Sequence, residues 1–119
     1  MRSYRANVVG SNEVLLEKVA AALTFGARFR GLMLRRDMPR SEGLLIPGCR
    51  SVHTFLMRFP LDLAYLDDDN TVVKVVHSLK PWRLSFCARA SSVLEMPSGR
   101  AREAGLQVGD RLELRPLGG

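Results

Sequence analysis

Five polar residues stand where the hydrophobic pattern of the chain expects core: Arg28, His53, Arg58, Asp62 and Glu95. Taking such groups out of water without partners costs roughly 1–3 kcal/mol each. Each therefore implies an internal pairing or a site. Arg28 follows Phe25 by three positions and precedes Leu32 by four, beside an apolar stripe, so its guanidinium needs a carboxylate. Asp62, directly before Leu63-Ala64-Tyr65-Leu66, and Glu95, inside Val93-Leu94-Glu95-Met96, are the natural candidates. In the structural arrangement Arg28, with Arg58, pairs with Asp62 or Glu95 and pins a helix to a sheet. In the chemical arrangement His53 sits beside Asp62 or Glu95 as an acid/base pair, because imidazole titrates near neutrality. That would be a metal-independent enzyme, a hydrolase for instance. The structural arrangement is the default, since partly buried ions are normally paired.

Other chemistries find less support. No serine lies in G-x-S-x-G, neither cysteine sits in a nucleophile motif, and Gly43, Gly48, Gly99 and Gly105 are isolated rather than gathered into a phosphate loop. Cys49 and Cys87, even with His53 and His77, match no standard zinc spacing, so no metal site and no cofactor are expected. Met33, Met38, Met57 and Met96 lie in apolar contexts and read as gap-fillers. Trp82, between Pro81 and Arg83, either offers a ring to a ligand or covers an open end of the fold; the area a Trp buries favours covering. Phe55 and Phe59 flank Arg58 in a way that could stack single-stranded nucleic acid, but no oligonucleotide-binding or RNA-recognition signature accompanies them.

Charge is the compositional departure. Among 119 residues, 18 Lys+Arg against 12 Asp+Glu give a formal net charge of +6, and only Lys18, Lys74 and Lys80 are lysines. Arginine suits bidentate pairing with carboxylates and phosphates. Residues 28–58 are strongly basic, whereas Asp62, Asp67, Asp68 and Asp69 follow without a base among them. Nucleic-acid binding through the 28–58 segment is thus a further alternative, although pI arguments alone do not establish it and nucleic acid is not the expected partner. The chain has no apolar run of the roughly 18–20 residues that crosses a bilayer and no export-type leader, so a cytoplasmic location, reduced thiols and no membrane insertion are expected.

These residues must be positioned by a mainly β framework. Residues 5–9 and 13–19 flank Gly10-Ser11-Asn12 as a hairpin, and Thr24 caps a helix over about 24–35 with Phe25, Phe29, Leu32 and Met33 on one face. Residues 37–43 form a loop and 44–46 a strand. In 51–57 the alternation puts His53, Phe55 and Met57 on one face and Val52, Thr54 and Leu56 on the other. Residues 61–66 and 71–77 flank the turn Asp67-Asp68-Asp69-Asn70. Ser98 caps a short helix near 99–105, between strands at 92–96 and 111–114. No linker or repeat divides the chain, so residues 1–119 are read as a single domain: a β-sandwich or partly closed barrel of about seven to eight short strands.

Several segments carry a resemblance. Arg28-Phe29-Arg30-Gly31-Leu32-Met33, Glu42-Gly43-Leu44-Leu45, residues 53–62 from His53-Thr54-Phe55 to Leu61-Asp62, Val93-Leu94-Glu95-Met96-Pro97-Ser98-Gly99 and Gly105-Leu106-Gln107-Val108-Gly109-Asp110 occur in order. Together they resemble the domain of unknown function 192 family of small prokaryotic proteins, over about residues 10–115. The resemblance implies a compact β-rich fold with a helix packed on it, and no established activity. Around residues 55–60 the family pattern has an aromatic-Trp-Met-Lys-Asn-Thr character, whereas this chain has Phe55-Leu56-Met57-Arg58-Phe59-Pro60 and lacks the Asn and Thr. The expectation is a small binding or accessory module, leaning away from catalysis, with Arg28, His53, Arg58, Asp62, Trp82 and Glu95 as ligand-binding candidates. Its partner would be a protein or a small molecule, and its state a monomer or weak homodimer.

Overall fold

The computed structural model describes residues 2–21, 37–55 and 57–118. The helix expected over 24–35, and Arg28 with it, lies outside the described residues.

Nine strands are described: β1 Ser3–Val8, β2 Val14–Ala21, β3 Glu42–Pro47, β4 Ser51–His53, β5 Leu61–Leu66, β6 Val72–Leu79, β7 Leu84–Phe86, β8 Ser92–Pro97 and β9 Leu112–Pro116, with a short helix α1, Arg100–Glu103, between β8 and β9. Seven of them form one sheet in the order β6-β5-β8-β3-β2-β1-β9, and β4 pairs with β7 in a separate ribbon. Only β2 and β3 run parallel, with Lys18 opposite Glu42. The sheet curls until its outer strands meet at one end: Thr71 bridges Arg111, and Val72 N donates to Asp110 O at 2.7 Å. The result is a half-barrel, the partly closed form of the expected mainly β fold.

Strand alternation divides the core. Leu16, Leu66, Leu94, Met96 and Leu112 gather inside the curl with Ala101 of α1, while Leu61, Leu63, Tyr65, Val93 and Val52 form a second core beneath the ribbon. Strand β5 is buried along its whole length because it faces both cores. Its near-continuous apolar sequence follows from that. Gly43 holds β3 close to its neighbours: a Cβ there would lie 2.5 Å from Leu16 Cδ1 and 2.9 Å from the Glu95 carbonyl oxygen.

The two expected hairpins form. Around the acidic turn, Asp67 Oδ1 accepts the amides of Asp69 and Thr71, both at 2.9 Å, and Asn70 takes φ 61°. Two local expectations change. The strand beginning at residue 51 stops at His53, because Thr54 turns into the fold and its carbonyl accepts Met57 N at 3.1 Å. Ser98 is not the cap of α1: Gly99 is, at φ 89°, with no side-chain capping bond. The Ser98 hydroxyl instead lies 2.6 Å from that of Ser78. The N-terminal amides of α1 find their acceptor in β5, where Asp62 Oδ2 takes Ala101 N at 3.0 Å. Among the described residues no helix is long and apolar enough to cross a membrane.

Candidate functional site

Thr54 organises the surface above the second core. It is fully buried, and its backbone and hydroxyl bind the turn 80–83 through five hydrogen bonds, the longest from Oγ1 to Arg83 O at 3.3 Å. Thr54 N donates to Arg83 O and Trp82 N donates to Thr54 O, both at 2.9 Å, while Oγ1 donates to Lys80 O at 2.6 Å and accepts Arg83 N at 2.9 Å. This clamp fixes Trp82 in the left-handed region at φ 63°. Such a conformation is uncommon for a bulky residue and costs on the order of 1–2 kcal/mol. The indole does not recover that cost by burial, since Trp82 is 58% exposed.

The indole instead ends a column of rings. Trp82 stacks on Phe55 with centroids 5.9 Å apart and planes 28° from parallel, and Phe55 meets the His53 ring at 5.2 Å and 32°. The ribbon continues this apolar surface. Val52 opposite Ser85 faces inward, so that Ser85 Oγ receives the Tyr65 hydroxyl at 2.8 Å. Burial pushes the Tyr65 phenol above its ordinary value of 10.0, an effect that this hydrogen bond opposes. On the other face of β7, Leu84 and Phe86 stand 69% and 58% exposed. Lys74 donates to the Phe86 carbonyl at 2.8 Å, tying the ribbon's far end to β6.

Of the six residues named from sequence, Arg28 lies outside the described residues, and the other five do not form one cluster. Register places Asp62 opposite Met96 and Leu63 opposite Glu95, so the two carboxylates project from opposite faces of the sheet. Asp62 is fully buried on the α1 side, and both its oxygens are engaged, Oδ1 by Ser78 N at 2.7 Å and Oδ2 by Ala101 N. It is not positioned to orient His53. Glu95 is fully buried on the face beneath the ribbon, and His53 is half-buried with its Nδ1 enclosed; each has interacting partners. Arg58 is exposed, and Trp82 is a surface ring rather than a cover. Sequence reasoning did not single out Thr54, Leu84 or Phe86. Their signal is three-dimensional, apart from the apolar alternation Trp82, Leu84, Phe86.

Cys49 and Cys87 are free thiols, and Cys49 Sγ donates to Ser51 O at 2.8 Å. Among the described residues no group of three or more His, Cys, Asp or Glu side chains is arranged to hold a metal. A groove of about 710 Å³ lies elsewhere, lined by Arg2, Ser3, Tyr4, Lys18 and residues 116–118, all distant in sequence from the ring column.

The family model described as "Uncharacterized ACR", DUF192, matches residues 7–114. The chain belongs to the DUF192 family. Among curated relatives it is similar to a UPF0127 protein of Pyrococcus furiosus, 35% identical over 113 residues that cover 90% of this chain and 94% of the relative. A UPF0127 protein of Thermococcus kodakarensis is 33% identical over 83% of this chain and 66% of its own. Of solved structures, a Sinorhizobium meliloti protein described as a "putative transcription regulator" superposes with TM-score 0.82 at 26% identity, covering 94% of this chain and 93% of the other. A protein of unknown function from Novosphingobium aromaticivorans superposes with TM-score 0.76 at 22% identity over 93% and 84% of the two chains, a likeness of fold alone. DUF192 is an uncharacterised family, so its name assigns no reaction to these residues.

Proposed function

We propose that this DUF192 protein is a non-catalytic binding or accessory module whose recognition surface is the outer face of the β4–β7 ribbon, centred on Trp82, Phe55 and His53. One observation carries the reading: a tryptophan in a left-handed conformation, its turn held by a buried threonine through hydrogen bonds to Lys80, Trp82 and Arg83, with its ring left in water. Folding alone gains little from that arrangement, whereas a preorganised ring lowers the ordering cost of binding. Leu84 and Phe86 extend the surface, and exposed contiguous apolar area of this kind marks interaction sites.

In this reading Arg58 belongs to the rim and Asp62 serves the fold. The whole chain acts as one domain. A reducing, cytoplasmic setting suits the two partly buried free cysteines. The test is thermal unfolding of wild type beside Trp82→Ala and His53→Ala against a panel of metabolites, nucleotides and peptides. A compound that raises the wild-type midpoint but not that of a normally folded Trp82→Ala places binding at the ribbon. Hydrolytic turnover that disappears in a folded His53→Ala would replace this reading with the acid/base one.

A further inference from the structure

Charge around the ring column narrows the class of ligand. Between Glu42 and Asp62, and again between Asp69 and Glu95, the sequence contains no Asp or Glu. Those two stretches build the ribbon and its flanking turns. They carry Arg50, Arg58, Lys74, Lys80, Arg83 and Arg89, all exposed. Arg50 and Arg83 lie at the two ends of the ribbon, where the Arg50 carbonyl accepts Cys87 N and the Arg83 carbonyl accepts Thr54 N. Lys80 and Arg83 bracket Trp82 within the clamped turn. These stretches therefore combine exposed rings with cations and contribute no acid, a pairing that matches a ligand with flat rings on an anionic backbone.

Resting on the ribbon as the recognition surface, we propose that its ligand is single-stranded nucleic acid, with a base continuing the Trp82–Phe55–His53 column and phosphates meeting Arg50, Lys80 and Arg83. Base stacking on an aromatic platform with cations tracking the backbone is the usual physics of sequence-tolerant single-strand binding. A rigid, already stacked column favours this over insertion into a lipid surface, for which ring alignment brings nothing. Among the described residues of the basic segment 28–58, Arg50 and Arg58 belong to this charge, and the column is completed by the turn 80–83.

Trp82 is the one tryptophan of the chain, so its fluorescence reports on the site directly. The full-length protein would be titrated with decathymidylate, with inorganic polyphosphate and with phosphatidylglycerol vesicles, at 50 and 200 mM salt. Labelled decathymidylate would report binding to Trp82→Ala, Phe55→Ala and Arg83→Ala, each checked for its unfolding transition. The expected result is quenching by decathymidylate and an affinity that falls at least about tenfold between the two salt concentrations. Trp82→Ala and Phe55→Ala should each lose about tenfold while remaining folded. Polyphosphate binding as tight as decathymidylate, with Trp82 unresponsive, would overturn the proposal by reducing the surface to its charge. A blue shift on vesicles without quenching by the oligonucleotide would overturn it in favour of a lipid surface while keeping the ribbon as the binding face. No binding of decathymidylate at 50 mM salt overturns it outright. The ribbon reading fails as well only if the thermal panel also finds no compound that depends on Trp82.

Discussion

Two non-glycine residues close to one another in sequence, Ser78 and Trp82, adopt left-handed backbone conformations at φ 52° and 63°, and each is held by a buried polar side chain. Asp62 takes the Ser78 amide, and Thr54 takes the turn at Trp82. The outcomes differ. At Ser78 the strained residue belongs to a node that serves the fold, because the same carboxylate supplies the acceptor that α1 lacks locally. At Trp82 the clamp presents a large ring to solvent. Local strain of similar kind is offset by structure in one place, and in the other it leaves a large ring in water, the arrangement on which the proposed recognition surface rests.

The comparison can be broken most forcefully at Asp62. Asp62→Ala removes the acceptor of two amides and should cost about 3–5 kcal/mol, since hydrogen bonds to a charged group contribute about 1.5–3 kcal/mol each. Thermal unfolding should show a fall of more than ~10 °C, and Asp62→Asn a smaller one. A loss under 1 kcal/mol would mean that Asp62 does not hold the fold in this way. Next is Thr54→Val, of similar shape but without the hydroxyl: about 1–2 kcal/mol lost, with Thr54→Ser close to wild type. Its distinctive readout is Trp82 fluorescence anisotropy, which should fall as the turn loosens.

Tyr65 sharpens the comparison through pH. Its phenol is raised above 10.0 by burial, so the folded state holds the proton more tightly than the unfolded one. Stability linked to this group is complete below about pH 10 and is lost as pH rises from there through the folded value. Tyr65→Phe should cost about 1 kcal/mol near neutrality, and the gap from wild type should narrow above pH 10 in denaturant titrations. The smallest effect on stability is expected at Trp82. Trp82→Gly removes the left-handed penalty and should leave stability unchanged or raise it by up to ~1 kcal/mol, while abolishing binding at the ribbon. Chemical denaturation beside the binding titration checks both halves. A large destabilisation would show that the indole is part of the fold after all.

Much of the scaffold was legible in the chain. The Asp67–Asn70 turn, the apolar run of β5 and the hairpin of β1 and β2 follow from turn chemistry and period-two patterning, which act over a few residues. The site was less legible. Asp62 and Glu95 look alike in sequence, each an acid in an apolar run, yet register sets them on opposite faces. Which acid faces which core depends on strand pairing across more than thirty residues, and no local pattern encodes it. Trp82 was expected to cover an open end because large rings usually bury; the Thr54 contacts that hold its turn out come from 28 residues upstream.

The sequence by itself determined a mainly β chain with two cationic, acid-free stretches on either side of an acidic one, because alternation, turn residues and charge are properties of neighbouring residues. Tertiary structure alone decided that the sheet closes at Thr71 and Arg111, that one carboxylate caps a helix from another strand, and that three rings form a column at the surface. Those outcomes depend on register and on hydrogen bonds between distant segments, where a shift of one residue would turn each side chain to the other face.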